Sequence, residues 1–159
     1  MSQKPFLVIY YSRTGNTKII AEEIAEQLEA DIGRIIDKKD RAGVLGFMGG
    51  GKDAGFKKKT DIESPPHDPA AYETVIIGTP VWAWSMCPAV RTWIDQNKDK
   101  LPNVAFFLTT GSTGIDRTFR HMTELSQREA LATLGLKEKK VKKNNYKQEV
   151  RQFTDALKK

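Results

Sequence analysis

Residues 12–17 read Ser12-Arg13-Thr14-Gly15-Asn16-Thr17, and they separate a short apolar run from an amphipathic one. The preceding run, residues 6–11 (FLVIYY), is typical of a central strand that is buried on both faces. After the stretch, Ile20, Ile24 and Leu28 recur every fourth residue among glutamates, as in an amphipathic helix. A strand therefore ends and a helix begins here, and the junction offers free backbone N–H groups, hydroxyls and a glycine. Such a junction is typical of an anion site.

The spacing within this stretch excludes two common phosphate loops. It has no Gly-Lys-Ser or Gly-Lys-Thr ending, so it is not a P-loop, and no G-x-G-x-x-G, so it is not the dinucleotide fingerprint. Two interpretations remain open. Either the stretch binds a phosphate in another way, or Asn16 or Thr17 simply caps the helix.

Length and composition favour one intracellular domain. A chain of 159 residues buries enough surface for a single core, so we expect one domain over residues 1–159. No apolar run approaches about 18 residues, and residues 1–5 show no signal-peptide pattern, which predicts a cytoplasmic protein without membrane insertion.

The few cysteine and histidine residues predict no metal site and no disulfide framework. Cys87 is the single cysteine, and we expect it to be buried and inert. His67 lies in a proline-rich turn, and His121 is predicted on a helix surface. Neither has a second ligand at metal-binding spacing.

The formal charge of +6 is unevenly distributed. Residues 34–59 contribute +5 and residues 137–159 contribute +6, so the rest of the chain is negative. No aromatic residues interleave the basic runs at 57–59 and 137–143, so we interpret them as solvated surface and predict no nucleic-acid binding. A partner-docking role for residues 52–59 is a hypothesis.

Strand and helix patterns alternate along the chain. After the first helix, further strands are predicted at 31–36, 72–79, 104–110 and 136–143, the first of them near an edge of the sheet. Further helices are predicted at 88–97, at about 116–134 and at 145–157, and Gly135 is predicted to stop the second of these. The irregular segment 37–69 is predicted as a broken helix with loops. This alternation predicts a three-layer α/β sandwich with a five-stranded parallel sheet in the order 2-1-3-4-5, and a ligand beyond the carboxyl ends of strands 1, 3 and 4.

The loops after strands 3 and 4 suit a planar ligand. The first is Thr79-Pro80-Val81-Trp82-Ala83-Trp84, whose two tryptophans predict contact with a flat ring; the alternative for each is packing in the core. The second is Thr110-Gly111-Ser112-Thr113-Gly114, which is small and rich in hydrogen-bond donors.

In these three loops, and over essentially the whole chain, the sequence resembles the flavodoxin-like FMN proteins of the short-chain type. The resemblance implies that FMN is the cofactor, with its phosphate held by Ser12, Thr14, Asn16, Thr17 and backbone amides. It implies that Trp82 or Trp84 flanks the isoalloxazine ring and that the third loop meets the pyrimidine edge. No side chain is expected to act as a catalytic acid or base. The implied cofactor-binding set is Ser12, Arg13, Thr14, Gly15, Asn16, Thr17, Thr79, Pro80, Val81, Trp82, Ala83, Trp84, Thr110, Gly111, Ser112, Thr113 and Gly114.

Three functions remain open. The first is an electron carrier that serves redox partner proteins, and the second is an FMN reductase that takes hydride from NAD(P)H for a quinone, a flavin or a similar small acceptor. The third is a flavin-free binding or signalling domain, although a receiver-type domain needs an aspartate where this chain has Thr79. Unlike acidic electron carriers, the chain has no Asp or Glu in the three loops. The third loop also lacks an aromatic lid, which leaves one ring face open to a substrate.

Overall fold

The computed structural model describes residues 5–38 and 59–158. Its main sheet contains five parallel strands, which are β1 (Phe6–Tyr10), β2 (Asp31–Arg34), β5 (Thr74–Trp82), β7 (Asn103–Thr110) and β8 (Ala130–Lys137). Three shorter strands are β3 (Ile36–Asp37), β4 (Ile62–Glu63) and β6 (Ser85–Met86). The parallel strands are arranged β2-β1-β5-β7-β8, which is the predicted order 2-1-3-4-5. The predicted fold class is confirmed.

The central strands are apolar on both faces because helices cover both sides of the sheet. The helices are α1 (Asn16–Leu28), α2 (Pro88–Asn97), α3 (Ile115–Ser126), α4 (Glu138–Lys142) and α5 (Lys147–Lys158). Leu7 and Ile9 of β1 belong to one buried cluster, and Val8 belongs to the other. Successive side chains of a strand point to opposite faces, so a doubly covered strand needs a continuous apolar run.

Each helical layer contributes its apolar stripe to one of the two clusters. Trp93 of α2 and Met122 of α3 pack on the side of Leu7 and Ile9. On the other side, Ile24 of α1 packs with Val141 of α4 and Phe153 of α5. The hydroxyl of Thr154 also donates a hydrogen bond to Gln27 Oε1 at 2.8 Å, which joins α5 to α1 across 127 residues of sequence.

The region from 116 to 143 differs from its prediction. The helix predicted over about 116–134 was too long, because α3 ends at Ser126 and Gln127 adopts a left-handed conformation with φ 59°. The strand predicted at 136–143 actually spans 130–137, and its charged continuation forms α4. Residues 130–137 (ALATLGLK) include good helix formers, but parallel pairing with β7 outweighs that weak preference. Gly135 therefore lies within a strand and does not stop a helix.

Two other predicted segments are also reorganised. The strand predicted at 72–79 extends to Trp82 and turns back to pair antiparallel with β6, so much of the predicted second loop is a β-hairpin. The strand predicted at 31–36 divides into β2, which does lie at the sheet edge, and β3, which pairs with β4. Much of the predicted broken helix, together with residues 52–58 of the hypothetical docking surface, lies outside the described residues. Lys59 is described, and its Nζ lies 2.8 Å from Asp95 Oδ2. In the two described ranges, no helix has the length and apolar character needed to cross a membrane.

Gly78 in β5 is required by a close contact inside the sheet. A Cβ atom added at this position would lie 1.9 Å from Cζ of Phe107, whose side chain on β7 is fully buried. The ring therefore occupies the space that any larger residue would need.

We expect Gly78→Ala to lower the free energy of unfolding by about 2 to 3 kcal/mol, because the buried ring must shift to admit the methyl group. Urea unfolding of the protein without added ligand measures this loss. Gly111→Ala is the matched control, since its added Cβ would meet no atom within 4 Å in the part of the chain that the structure describes. Equal stability of the two variants would contradict the proposed contact.

Candidate functional site

A cleft of about 420 Å³ lies at the carboxyl edge of the sheet, where the three predicted loops meet. A volume of this size is typical of a small-molecule or cofactor site. The lining residues from the predicted set are Arg13, Thr14, Thr17, Pro80, Val81, Trp82, Ala83, Trp84, Thr110, Gly111, Ser112 and Thr113. The remaining predicted residues, which support the loops without lining the cleft, are Ser12, Gly15, Asn16, Thr79 and Gly114.

The first loop presents the start of α1 to the cleft. Gly15 precedes the helix with φ 103°, a left-handed conformation that glycine adopts without steric cost, and as the N-cap residue it has no side chain with which to cap the helix. Ser12 Oγ accepts a hydrogen bond from the Gly15 N–H at 3.1 Å, and Arg34 donates to the Ser12 carbonyl at 2.8 Å. Ser12 is buried and thus stabilises the loop from the side of the core, while the exposed Thr14 and the half-buried Arg13 line the cleft.

Two further side chains of this loop bond within the protein. Thr17 Oγ1 lies 2.8 Å from Thr109 Oγ1 on β7, so a buried hydroxyl pair joins the start of α1 to the end of that strand. Asn16 Nδ2 donates to Thr14 Oγ1 at 3.4 Å. In this arrangement the backbone amides of the first turn, Arg13 and Thr14 are the groups best placed to hold an anion.

The second loop is a hairpin whose turn has an unusual conformation. Trp82 pairs with Ser85, so Ala83 and Trp84 form a two-residue turn with φ values of 49° and 61°. A turn with two positive φ angles matches the twist of the strands, but it usually contains Asn and Gly. Two L-residues with side chains in this conformation store backbone strain beside the cleft.

The two tryptophans have different environments. Trp82 is only 6% exposed; its ring meets Tyr11 edge-on at 5.7 Å between centroids, and the Arg13 guanidinium lies 6.0 Å from its centroid. Trp84 is 57% exposed at the cleft. The core alternative therefore applies to Trp82, while Trp84 is the ring that has an open face.

The third loop is held by its own hydroxyl groups and touches the hairpin. Thr110 Oγ1 donates to the Thr113 carbonyl at 2.8 Å, and Trp84 Nε1 donates to Thr113 Oγ1 at 3.0 Å. Gly114 has φ 94°, and an added Cβ would lie 3.0 Å from Trp84 Cα. The second and third loops therefore form one connected wall of the cleft.

A buried polar cluster supports the hairpin from the side away from the cleft. Ser85 Oγ lies 2.8 Å from His121 Nδ1 and accepts a hydrogen bond from Arg91 Nη2 at 2.8 Å. Burial lowers the pKa of Arg91 below its usual value. The prediction that His121 lies on a helix surface was wrong: it is 6% exposed because α3 turns this side chain toward β6.

Cys87 follows the hairpin and is fully buried, as expected. Thr79 Oγ1 accepts a hydrogen bond from the Cys87 backbone N–H at 3.1 Å and lies 3.4 Å from its Sγ. Burial raises the pKa of the Cys87 thiol to about 11, so the unreactive thiol form predominates at neutral pH. Among the described residues, no group of three His, Cys, Asp or Glu side chains is arranged to hold a metal ion.

Two lining residues, Thr109 and Glu138, were not predicted. Thr109 is the penultimate residue of β7, directly before the predicted third loop. Glu138 follows β8, and the misplaced boundary of that strand concealed its position at the carboxyl edge. A correct strand assignment is the signal that would have identified it.

Comparison with known proteins supports the predicted resemblance. A family model described as Flavodoxin matches residues 5–156, which confirms it. No curated protein sequence matches the chain.

Several solved structures share the fold. A flavoprotein from Lactobacillus acidophilus NCFM, in complex with FMN, has 24% identity and a TM-score of 0.72, with coverage of 88% of this chain and 97% of that chain. The two-electron reduced flavodoxin from Megasphaera elsdenii has 16% identity and a TM-score of 0.61, with coverage of 95% and 96%. An NADH:FMN oxidoreductase in its apo form has 13% identity and a TM-score of 0.53, with coverage of 96% and 86%.

We expect Ala83→Gly to raise the free energy of unfolding by about 1 kcal/mol, because glycine adopts a positive φ without the steric cost that alanine has. Urea unfolding measures the gain. Ala156→Gly is a control of opposite sign: Ala156 is exposed on α5, where glycine lowers stability by about 1 kcal/mol. A loss of stability in the Ala83 variant would show that the turn is not strained.

Proposed function

The chain belongs to the flavodoxin family, and we propose that it carries electrons through non-covalently bound FMN held in the cleft. FMN, the cofactor predicted from the sequence, is the cofactor of this family, which confirms that prediction. The proposal rests on one observation: an uncapped helix N-terminus and an exposed indole ring lie at the same cleft. The first suits a phosphate and the second suits a planar ring system.

The phosphate end of the site is defined by charge and by open space. The uncapped first turn of α1 offers backbone N–H groups, and Arg13 and Thr14 add a cation and a hydroxyl beside them. A Cβ added at Gly15 would meet no atom of the described residues within 4 Å, so this part of the chain leaves room above the helix start. These donors match the oxygens of a phosphate monoester.

The ring end of the site is defined by Trp84 and the third loop. Trp84 is exposed and held by its bond to Thr113, so its open face is available for stacking at a small entropic cost. The exposed Gly111 and Ser112 supply backbone groups for the polar edge of a heterocycle. Trp82 also lines the cleft, but most of its ring is buried, and Arg13 lies over that ring.

When bound, FMN supplies the one- or two-electron chemistry, and the protein supplies binding, orientation and electrostatics. Arg13 balances negative charge at the phosphate end. The hairpin and the third loop exclude water from the parts of a ring that they cover. Of the titratable side chains in the described ranges, Arg13 and Glu138 are the ones that line the cleft, and neither is required as an acid or base for electron transfer.

One observation favours a second function, NAD(P)H-dependent reduction of a small acceptor. Gly111, Ser112 and Thr113 are small and exposed, so no bulky side chain of this loop covers the outer side of the cleft. An open side would admit a nicotinamide or a quinone. The apo NADH:FMN oxidoreductase has the same fold, which is compatible with this alternative.

Anaerobic titration of the FMN-reconstituted protein distinguishes the two functions. For an electron carrier, we expect retained FMN, reduction in two resolvable one-electron stages by a chemical reductant, and no bleaching by NADPH or NADH. Rapid two-electron bleaching by either nucleotide would make the protein a reductase. Failure to retain any flavin would refute both functions.

Trp84 provides a direct test of the ring end. We expect Trp84→Ala to weaken FMN binding about tenfold, because it removes the exposed stacking surface. Trp84→Phe, which keeps an aromatic ring, should retain most of the affinity. Quenching of flavin fluorescence measures both dissociation constants. Unchanged affinity in the alanine variant would contradict the role of Trp84.

A further inference from the structure

Glu138 brings a carboxylate into the cleft from outside the three loops. It is the first residue of α4 and directly follows β8. Its side chain is half-buried and lines the cleft together with Arg13, Thr17 and Ser112. A carboxylate accepts hydrogen bonds and cannot donate them when ionised, so its position selects which part of a ligand can lie beside it.

The fold places Glu138 at the cleft between the start of α1 and the third loop. Lys137 pairs with Thr110, so Glu138 follows the strand end that lies next to the third loop. Val141 of the same short helix packs with Ile20 and Ile24, which puts α4 on the face of the sheet that α1 covers. Glu138 therefore lies beside the start of α1 and across the sheet from the hairpin that carries Trp84.

The carboxylate has no assigned role within the protein. Among the described residues, it makes neither a hydrogen bond nor an ion pair, although it is partly withdrawn from water. When a phosphate is bound at the start of α1, the nearby carboxylate of Glu138 is a second negative charge. Its position is then unfavourable unless the carboxylate accepts hydrogen bonds from the ligand. Hydroxyl groups are the donors that meet this requirement without adding charge.

We propose that Glu138 binds the hydroxyl groups of the sugar-alcohol chain that links the phosphate of FMN to its ring. This inference rests on the proposed function, because it assumes that the cleft holds FMN. In this arrangement Arg13 and the α1 amides hold the phosphate, Trp84 holds the ring, and Glu138 recognises the segment between them. The residue thereby selects flavins whose chain carries hydroxyls.

The alternative is a purely structural role. A glutamate in the first turn of a helix interacts favourably with the helix dipole, and in this role Glu138 would stabilise α4 alone. The two roles make different predictions about ligand preference. A structural role changes the affinity for all flavins by the same factor, whereas recognition of hydroxyls changes the ratio of affinities between ligands with and without them.

The test compares FMN with its phosphopentyl analogue, which keeps the ring and phosphate but lacks the chain hydroxyls. Flavin fluorescence quenching gives both dissociation constants for the wild type, Glu138→Ala and Glu138→Gln. We expect the preference for FMN over the analogue to fall about tenfold in Glu138→Ala and by less in Glu138→Gln, whose amide oxygen still accepts a hydrogen bond. The analogue should bind the alanine variant at least as tightly as the wild type, because a charge near its phosphate is removed.

Glu129→Ala is the matched control, since it removes an exposed glutamate at the other end of β8 and should leave the preference unchanged. A preference that stays the same in Glu138→Ala would overturn the inference, whether the absolute affinities rise or fall. Failure of the wild type to bind either flavin would instead refute the proposed function.

Discussion

Parallel pairing of β1, β5 and β7 is the constraint on which the site depends. These strands are hydrogen-bonded in register, so their carboxyl ends and the loops that follow them lie along one edge. The pairing is possible only because both faces of each strand are buried under helices. The same burial confines the polar groups of the site to the carboxyl ends of the strands and to the loops that follow them. The candidate site is therefore a direct result of how the core is formed. Its three predicted loops meet in space although they are far apart along the chain.

The walls of the cleft combine rigid support with local strain. Ala83 and Trp84 occupy left-handed conformations that side chains disfavour, yet Ser85 directly after them is held by Arg91 and His121. Buried hydrogen bonds to a charged guanidinium are costly to break, so this cluster stabilises a turn that local preference alone would not produce. In turn, the Trp84 indole bonds to Thr113 and couples the hairpin to the third loop. The exposed ring is thus oriented both by Thr113 at the cleft and by Ser85, Arg91 and His121, which do not line it.

Sequence patterns predicted the parts of the molecule in which burial and periodicity agree. The apolar run before Ser12 identified the central strand, and proline at position 88 identified the start of α2, both close to their observed bounds. The patterns failed where pairing overrides local preference. Ala130 and Leu131 favour a helix in isolation, but the open edge of β7 makes them a strand. That error concealed Glu138, and the buried position of His121 was missed because the contact that buries it comes from a hairpin 36 residues away.

The distant bond between Gln27 and Thr154 has a consequence for the order in which the protein is built. The layer of α2 and α3 uses residues before 127, so it is available early when the chain is synthesised from its N-terminus. The layer opposite is different, because the apolar stripe of α1 is covered by Val141, Phe153 and Leu157. Ile20 and Ile24 can pack early against Val8 and Ile76 of the sheet, but this cluster is complete only when these later residues have left the ribosome. The helix that follows residues 12–17 is therefore translated well before the segments that complete its enclosure.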